Sequence, residues 1–181
     1  MKRTEWKTVF PYVGIPVMVL LLFLLNKEKE EPIILLLQEI LLVFGYIAAL
    51  GDYREMRVPN RLVAMMFGVW ILVMVPQLFL QTEKTIVLLI SAVIGAVLSG
   101  ALFLAVYAIS KKGLGGGDVK LMAVSGLYLG VGDVLPAMLY GSVLAAIVGL
   151  VLILIKKIGL RDAIPLVPFL YVGMLLAMII Q

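Results

Sequence analysis

Long apolar runs separated by short charged stretches divide the chain into seven segments. The runs cover residues 9–25, 33–50, 61–80, 85–109, 118–129, 134–155 and 164–180. Six of them have 17 to 25 residues, which is the length that an apolar helix needs to cross a bilayer. The pattern therefore predicts an all-α fold, a polytopic transmembrane helix bundle of about six to seven spans.

The fifth run, residues 118–129, is the exception. Its 12 residues give only about 18 Å of helix against a hydrocarbon core of about 30 Å. Two arrangements are open. Either neighbouring helices shelter its ends beside a water-filled cavity, or it merges with the next run through Gly130-Val131-Gly132-Asp133 as a kinked hairpin.

Small residues recur at a spacing of four in the later runs. This spacing lets two helices approach closely in a membrane, so it predicts helix packing and no binding site. The sets are Gly95/Ser99, Gly126/Gly130 and Gly141/Ala145/Gly149.

The composition restricts the chemistry. The chain has 181 residues, of which 64% are hydrophobic, and it has no His and no Cys. An integral membrane protein follows from this balance. Disulfides, thiol nucleophiles, Cys or His zinc sites and a Ser-His triad are excluded, and we predict neither a metal nor a cofactor.

The basic residues predict the orientation. Of the 15 Lys and Arg residues, twelve fall on one side of the seven-run layout and three, Lys27, Lys29 and Lys84, on the other. Such a bias places the richer side and the N-terminus in the cytoplasm. The net charge of +4 is explained by this bias, and we infer no nucleic-acid partner. We expect residues 1–32 to form a tail, a retained first span and an outer loop, and leave the oligomeric state open.

A polar, glycine-rich stretch, Lys111-Lys112-Gly113-Leu114-Gly115-Gly116-Gly117-Asp118, interrupts the apolar pattern. Three consecutive glycines favour backbone that leaves helical geometry or is approached closely by another chain. A carboxylate at the mouth of an apolar segment is a functional candidate by default. The alternative is a plain turn in which Asp118 caps a helix beginning at Val119.

A second carboxylate, Asp52, ends the second run in Gly51-Asp52-Tyr53-Arg54-Glu55-Met56-Arg57-Val58-Pro59-Asn60-Arg61. Pro59 should break the helix, and Asn60 can cap the next one. The charge bias places this loop on the same side of the membrane as Asp118. The alternative for Asp52 is a surface salt bridge with Arg54 or Arg57.

Two carboxylates at one membrane depth can act together if the helices bring them close. Like charges a few ångströms apart cannot both ionise easily, so such a pair shares a proton. Aspartic proteases use this device, in which one carboxylate draws a proton from water while its protonated partner binds the scissile carbonyl. Peptide hydrolysis by this route needs no metal and no histidine.

Three stretches together resemble a known family. Gly115-Gly116-Gly117-Asp118 fits the G-x-G-D motif of membrane aspartyl proteases, and the continuation Val119-Lys120 is similar to the type IV prepilin peptidases. Val58-Pro59-Asn60, after Asp52, resembles the first catalytic segment of that family. Ile164-Pro165-Leu166-Val167-Pro168-Phe169 resembles its Pro-x-x-Pro-Phe stretch.

The resemblance implies an aspartic endopeptidase, residues 33–181, that removes the basic leader preceding the hydrophobic helix of a prepilin or pseudopilin at the cytoplasmic face. Asp52 and Asp118 would be catalytic, while Gly115, Gly116, Gly117, Pro59 and Asn60 would bind substrate or shape the loops. Larger family members carry a domain with paired cysteines that methylates the product. Because this chain has no Cys, we expect a short form without methyltransferase activity.

Two other functions stay open. A small proton-coupled transporter would relay protons through Asp52, Glu39 and Asp118, and a non-enzymatic pilus or secretion assembly factor would tolerate loss of both Asp residues. Lys120 lies two positions after Asp118, about 200° away on a helix. We therefore expect Lys120 to contact a lipid headgroup, and Glu39 to be structural.

Overall fold

The computed structural model describes residues 31–110, 114–159 and 162–180. In these ranges the chain forms five helices: α1 (Pro32–Glu55), α2 (Asn60–Leu80), α3 (Thr82–Ser110), α4 (Gly116–Leu154) and α5 (Val167–Ile180). The first four are long and apolar enough to cross a membrane, and α5 is shorter.

The predicted all-α, polytopic bundle is therefore confirmed. The predicted count of six to seven spans is higher than the four candidate spans and one shorter helix of the described residues. The predicted first span, residues 9–25, lies outside those residues. The division of the chain at residue 32 stays a prediction.

Helix α4 contains a break at Gly130, whose backbone angles of φ 65° and ψ −171° are not helical. This combination is accessible essentially to glycine alone. The part before Gly130, the first limb, runs antiparallel to α3. Ser99 of α3 hydrogen-bonds the Met122 carbonyl near the middle of that limb, and the Val131 N–H just past the break donates to Ser91.

The second limb of α4 folds back toward the end where the first limb began. A straight helix would separate Asp118 from Gly149 by about 46 Å. Yet Gly149 lies against Ile164, and Ile164 lines the same cavity as Asp118. The short run 118–129 therefore merges with the next run as a kinked hairpin, the second of the two predicted arrangements.

Glycines bring the backbones of α3 and α4 into contact. A Cβ atom on Gly95 would lie 2.6 Å from the Gly126 carbonyl oxygen, and one on Gly126 would lie 2.5 Å from the Gly95 oxygen. The second limb packs on α5 in the same way, with Gly141 against Gly173. The small-residue packing expected from the sequence is confirmed at both places.

Side-chain hydrogen bonds attach α2 to the first limb of α4. The Trp70 indole donates to the Leu127 carbonyl at 3.0 Å, and the Tyr128 hydroxyl donates to the Met66 carbonyl at 2.6 Å. Helix α4 also contacts α1, and its first limb packs on α3. These contacts fix the limb whose first turn carries Asp118.

Candidate active site

A cavity of about 500 Å³ opens at the end of the bundle where α1 ends and α2 and α4 begin. Asp52 and Asp118 both line it, although 66 residues separate them in the chain. Their side chains are largely buried, with 5% and 9% of the residue surface exposed, and the two carboxylates interact electrostatically. We call this pair the dyad, its cavity the dyad cavity, and this end of the bundle the dyad end.

The other predicted site residues lie around the dyad with one exception. The dyad cavity is also lined by Gly115, Gly116, Gly117 and Asn60. Pro59 does not line the dyad cavity. It lies in the wall of a separate groove between α1 and α2.

Asp52 is fixed by the start of α5. Its Oδ2 atom accepts the Val167 N–H at 3.0 Å, and the Leu166 N–H also hydrogen-bonds the carboxylate. The first N–H groups of a helix have no partner within the helix, and a negative charge is favourable there. Asp52 thus supplies a cap to α5 from a different helix.

The predicted alternative for Asp52, an ion pair with Arg54 or Arg57, is wrong. In the described part of the chain the only ion pair within 4.0 Å joins Lys84 to Glu31. Both arginines are exposed, so solvation of their charges competes with such a pair.

Asp118 is the third residue of α4, which begins at Gly116 and not at Val119. Its Oδ2 atom accepts the Gly115 N–H at 3.0 Å, and its own N–H donates to the Gly115 carbonyl at 3.1 Å. The expected role of Asp118 as N-cap is therefore wrong, since Gly115 is the N-cap and Asp118 is the third residue of the helix. The Asp118 carboxylate instead accepts the N–H of the N-cap residue while it lines the dyad cavity.

The two carboxylates thus share one electrostatic environment. Each accepts hydrogen bonds from backbone N–H groups, and no Lys or Arg of the described residues lies within 4.0 Å of either. Two largely buried carboxylates without a counter-ion favour a state in which they hold one proton between them. This arrangement can activate a water molecule and polarise a carbonyl at the same time.

Gly117 allows the two sequence motifs to pack against each other. A Cβ atom there would lie 3.1 Å from the Val58 Cβ and 3.2 Å from the Val58 carbonyl oxygen. A Cβ atom on Gly116 would meet nothing within 4 Å. The close approach expected for the glycine stretch therefore occurs at Gly117.

Lys120 and Asn60 have other contacts than expected. Lys120 lines the dyad cavity, and its ammonium donates to the Asn60 Oδ1 atom at 3.1 Å. Asn60 is the first residue of α2 and its side chain does not cap that helix. The predicted cap by Asn60 is therefore wrong, because its side chain pairs with Lys120 between α2 and α4. The headgroup contact expected for Lys120, which is exposed, stays a prediction.

Sequence reasoning missed the segment before α5 as part of the site. Residues 163–166 line the dyad cavity, and α5 begins at Val167 rather than at Ile164. The signal was present in Pro165 and Pro168, since proline is common in the first turn of a helix and rare farther along. Their spacing predicts a helix start at this point, but not its contact with Asp52.

Glu39 lies far from the dyad. It is partly exposed, near the opposite end of α1, and does not line the dyad cavity. Within the described ranges, no group of three or more acidic, His or Cys side chains could hold a metal ion.

The chain is similar in sequence to a known family of proteins. The model of the type IV leader peptidase family matches residues 39–150, which include both Asp52 and Asp118. The chain is 34% identical over 135 residues to the prepilin leader peptidase/N-methyltransferase of Bacillus subtilis strain 168, a match that covers 72% of this chain and 50% of that protein. The chain thus matches about half the length of this relative, and no solved structure matches it significantly. Because the family model covers more than half of the chain, the chain belongs to the type IV leader peptidase family.

Proposed function

We propose that the chain is an aspartic endopeptidase that removes the short basic leader from type IV prepilins or pseudopilins. The observation that carries this proposal is the dyad, two largely buried carboxylates that line one cavity and have no cationic partner among the described residues. The family and its Bacillus subtilis relative support the substrate class.

In this mechanism the ionised member of the dyad removes a proton from a bound water, whose oxygen adds to the scissile carbonyl carbon. The protonated member donates its proton to the carbonyl oxygen. As the tetrahedral intermediate collapses, the C–N bond breaks and the leaving amine takes one proton from the dyad. One hydroxyl of the intermediate returns its proton to the other carboxylate, so the dyad again holds one proton. Both steps are general acid–base catalysis by a pair that shares one proton.

The substrate would approach along the glycine stretch. The backbone of Gly116 borders the dyad cavity, and a Cβ atom there would meet nothing within 4 Å, so an extended peptide can approach it closely. The hydrophobic helix that follows the leader would lie in the bilayer. Arg57 and Lys120, which line the same cavity, would repel a basic leader, and we assign them no part in recognising it.

We place the dyad at the cytoplasmic face, with the N-terminus on the same side. Twelve of the 15 basic residues fall on that side of the predicted layout. Because the 181 residues contain no Cys, we also propose that this chain does not methylate the trimmed product.

Cleavage of a panel of leader-bearing prepilins in liposomes tests the proposal. Asp52→Asn and Asp118→Asn keep an oxygen that accepts a backbone N–H, but neither can complete the proton cycle. We expect each to lower cleavage by roughly 10²- to 10⁴-fold. Sequencing the product N-terminus and measuring its mass show whether the cut is at the leader and whether a methyl group has been added.

The matched control is Asp162→Asn. Asp162 is exposed, accepts the Gly159 N–H at 2.7 Å and does not line the dyad cavity. If Asp52→Asn and Asp118→Asn cleave as well as this control, the dyad does not carry the activity. Proton-coupled flux in the same liposomes would instead support the transporter, and neither activity would favour the assembly factor.

A further inference from the structure

A second cavity at the dyad end lies between α1 and α2, on the other side of the segment that carries Asp52. Its volume is about 330 Å³. Its polar lining comes from Arg54, Glu55 and Arg61, and its apolar lining from Ile47, Leu50, Leu62 and Met65. We call it the α1–α2 groove.

The groove is polar at one end and apolar at the other. Arg54 lies in the last turn of α1 and Arg61 in the first turn of α2. Ile47 lies about 10 Å deeper along α1 and Met65 about 6 Å deeper along α2, and both are exposed, by 38% and 54%. A phospholipid in a bilayer has this same order of polar and apolar parts along the membrane normal.

The charge of the groove favours an anion. Neither arginine has a carboxylate within 4.0 Å in the part of the chain that the structure describes. With Glu55 included, the groove carries a net charge of +1, which one phosphodiester would neutralise. The guanidinium group binds phosphate oxygens through its forked donors, and basic side chains near the bilayer surface attract anionic lipids.

We propose that the α1–α2 groove binds one anionic phospholipid of the phosphatidylglycerol type. Its phosphate lies between Arg54 and Arg61, and an acyl chain runs past Ile47 and Met65. The hydroxyl groups of this headgroup can donate hydrogen bonds to the Glu55 carboxylate. A headgroup with a second anionic group in their place could not. This proposal does not depend on the peptidase activity.

The position of the groove gives the lipid a structural role. Gly51 and Pro59 line the groove, whereas Asp52 and Val58 line the dyad cavity. One short segment of chain is therefore the wall between the two. A lipid in the groove contacts the back of the segment that carries Asp52.

Native mass spectrometry of the full chain in detergent tests the site, with phosphatidylglycerol, phosphatidylethanolamine and phosphatidylcholine as probes. We expect the wild type to retain one phosphatidylglycerol in preference to the other two. Arg54→Gln with Arg61→Gln should lower its apparent affinity by roughly 25-fold, at about fivefold for each arginine. The control, Lys156→Gln with Lys157→Gln, removes two exposed charges at the same end of the bundle and should retain the lipid.

A second variant tests the groove without changing its charge. Met65→Trp places a large side chain over the apolar floor, and we expect it to displace the lipid while both arginines remain. Equal retention of the three lipids by the wild type would overturn the proposal. So would unchanged retention of phosphatidylglycerol by both the arginine variant and Met65→Trp, because the lipid would then bind at another place on the protein.

Discussion

Asp52 and Asp118 differ in sequence context but are held in the same way, by backbone N–H groups at the start of a helix. If they share one proton, cleavage requires that one be ionised and the other protonated. At low pH both are protonated and no base remains, and at high pH both are ionised and no acid remains. We therefore expect kcat/KM to follow a bell-shaped curve when measured between about pH 4 and pH 9. A flat curve over that range would contradict the shared proton.

Gly117 and Gly116 form a matched pair of single-residue tests. Gly117→Ala would bring a methyl group 3.1 Å from the Val58 Cβ atom, so the loop after α1 must move, whereas Gly116→Ala meets open space. We expect Gly117→Ala to lower the free energy of unfolding by about 1 kcal/mol or more, the lower end of an overpacking cost, and to lower cleavage. Thermal unfolding in detergent compares the two variants. Equal melting temperatures would mean that the loop after α1 moves without lowering the free energy of unfolding.

At the scale of helices, the contact between α3 and α4 depends on two glycines. Gly95→Ala would place a methyl group 2.6 Å from the Gly126 carbonyl oxygen, and backbone cannot move aside as a side chain does. We expect a loss of about 1–3 kcal/mol in the free energy of unfolding, the usual cost of overpacking.

Gly68→Ala in α2 is the control for Gly95→Ala, since a Cβ atom on Gly68 meets nothing within 4 Å. Alanine is the better helix former, so this variant should be neutral or slightly stabilising. Unfolding curves for the two proteins should separate clearly. If they coincide, the helices are not held at the distance that the structure shows.

The helices also show where sequence reasoning succeeds and where it stops. Apolar runs located α1, α2 and α3 to within a few residues, because a membrane helix must be apolar along its whole length. The same argument placed the start of α5 three residues early, since Pro165 and Leu166 are apolar but not helical. It also left two arrangements open for residues 118–129. The choice between them depends on a backbone reversal at Gly130, which hydropathy does not report.

For the whole molecule, the orientation in the membrane can be tested with single cysteines. The chain has no Cys of its own, so no native residue has to be replaced first. Tyr53, at the dyad end, and Glu83, at the start of α3, are both exposed. We expect Tyr53→Cys to react with a membrane-impermeant thiol reagent only from the cytoplasmic side, and Glu83→Cys only from the outside. The reverse pattern would contradict the predicted orientation.

The site as a whole was only half predictable. Two Asp motifs on one side of the membrane predicted the dyad, and the structure brings both into one cavity. Two features of the site were not predicted: the wall made by residues 163–166, and the hydrogen bond from Val167 to Asp52. The hydrogen bond joins positions 115 residues apart. Such contacts depend on how α1 and α5 pack, and one sequence carries no direct signal of it.

The bond between Asp52 and Val167 also has an evolutionary consequence. If Asp52 is catalytic as proposed, natural selection acts on this position twice, once for cleavage and once for the start of α5. A lineage that lost cleavage would then still need a hydrogen-bond acceptor there. In a mutational scan selected only for protein abundance, Asn at position 52 should persist. Ala should be depleted, because loss of a helix cap costs about 1 kcal/mol. By the proposed mechanism, a descendant with Asn at this position would be inactive and yet fully folded.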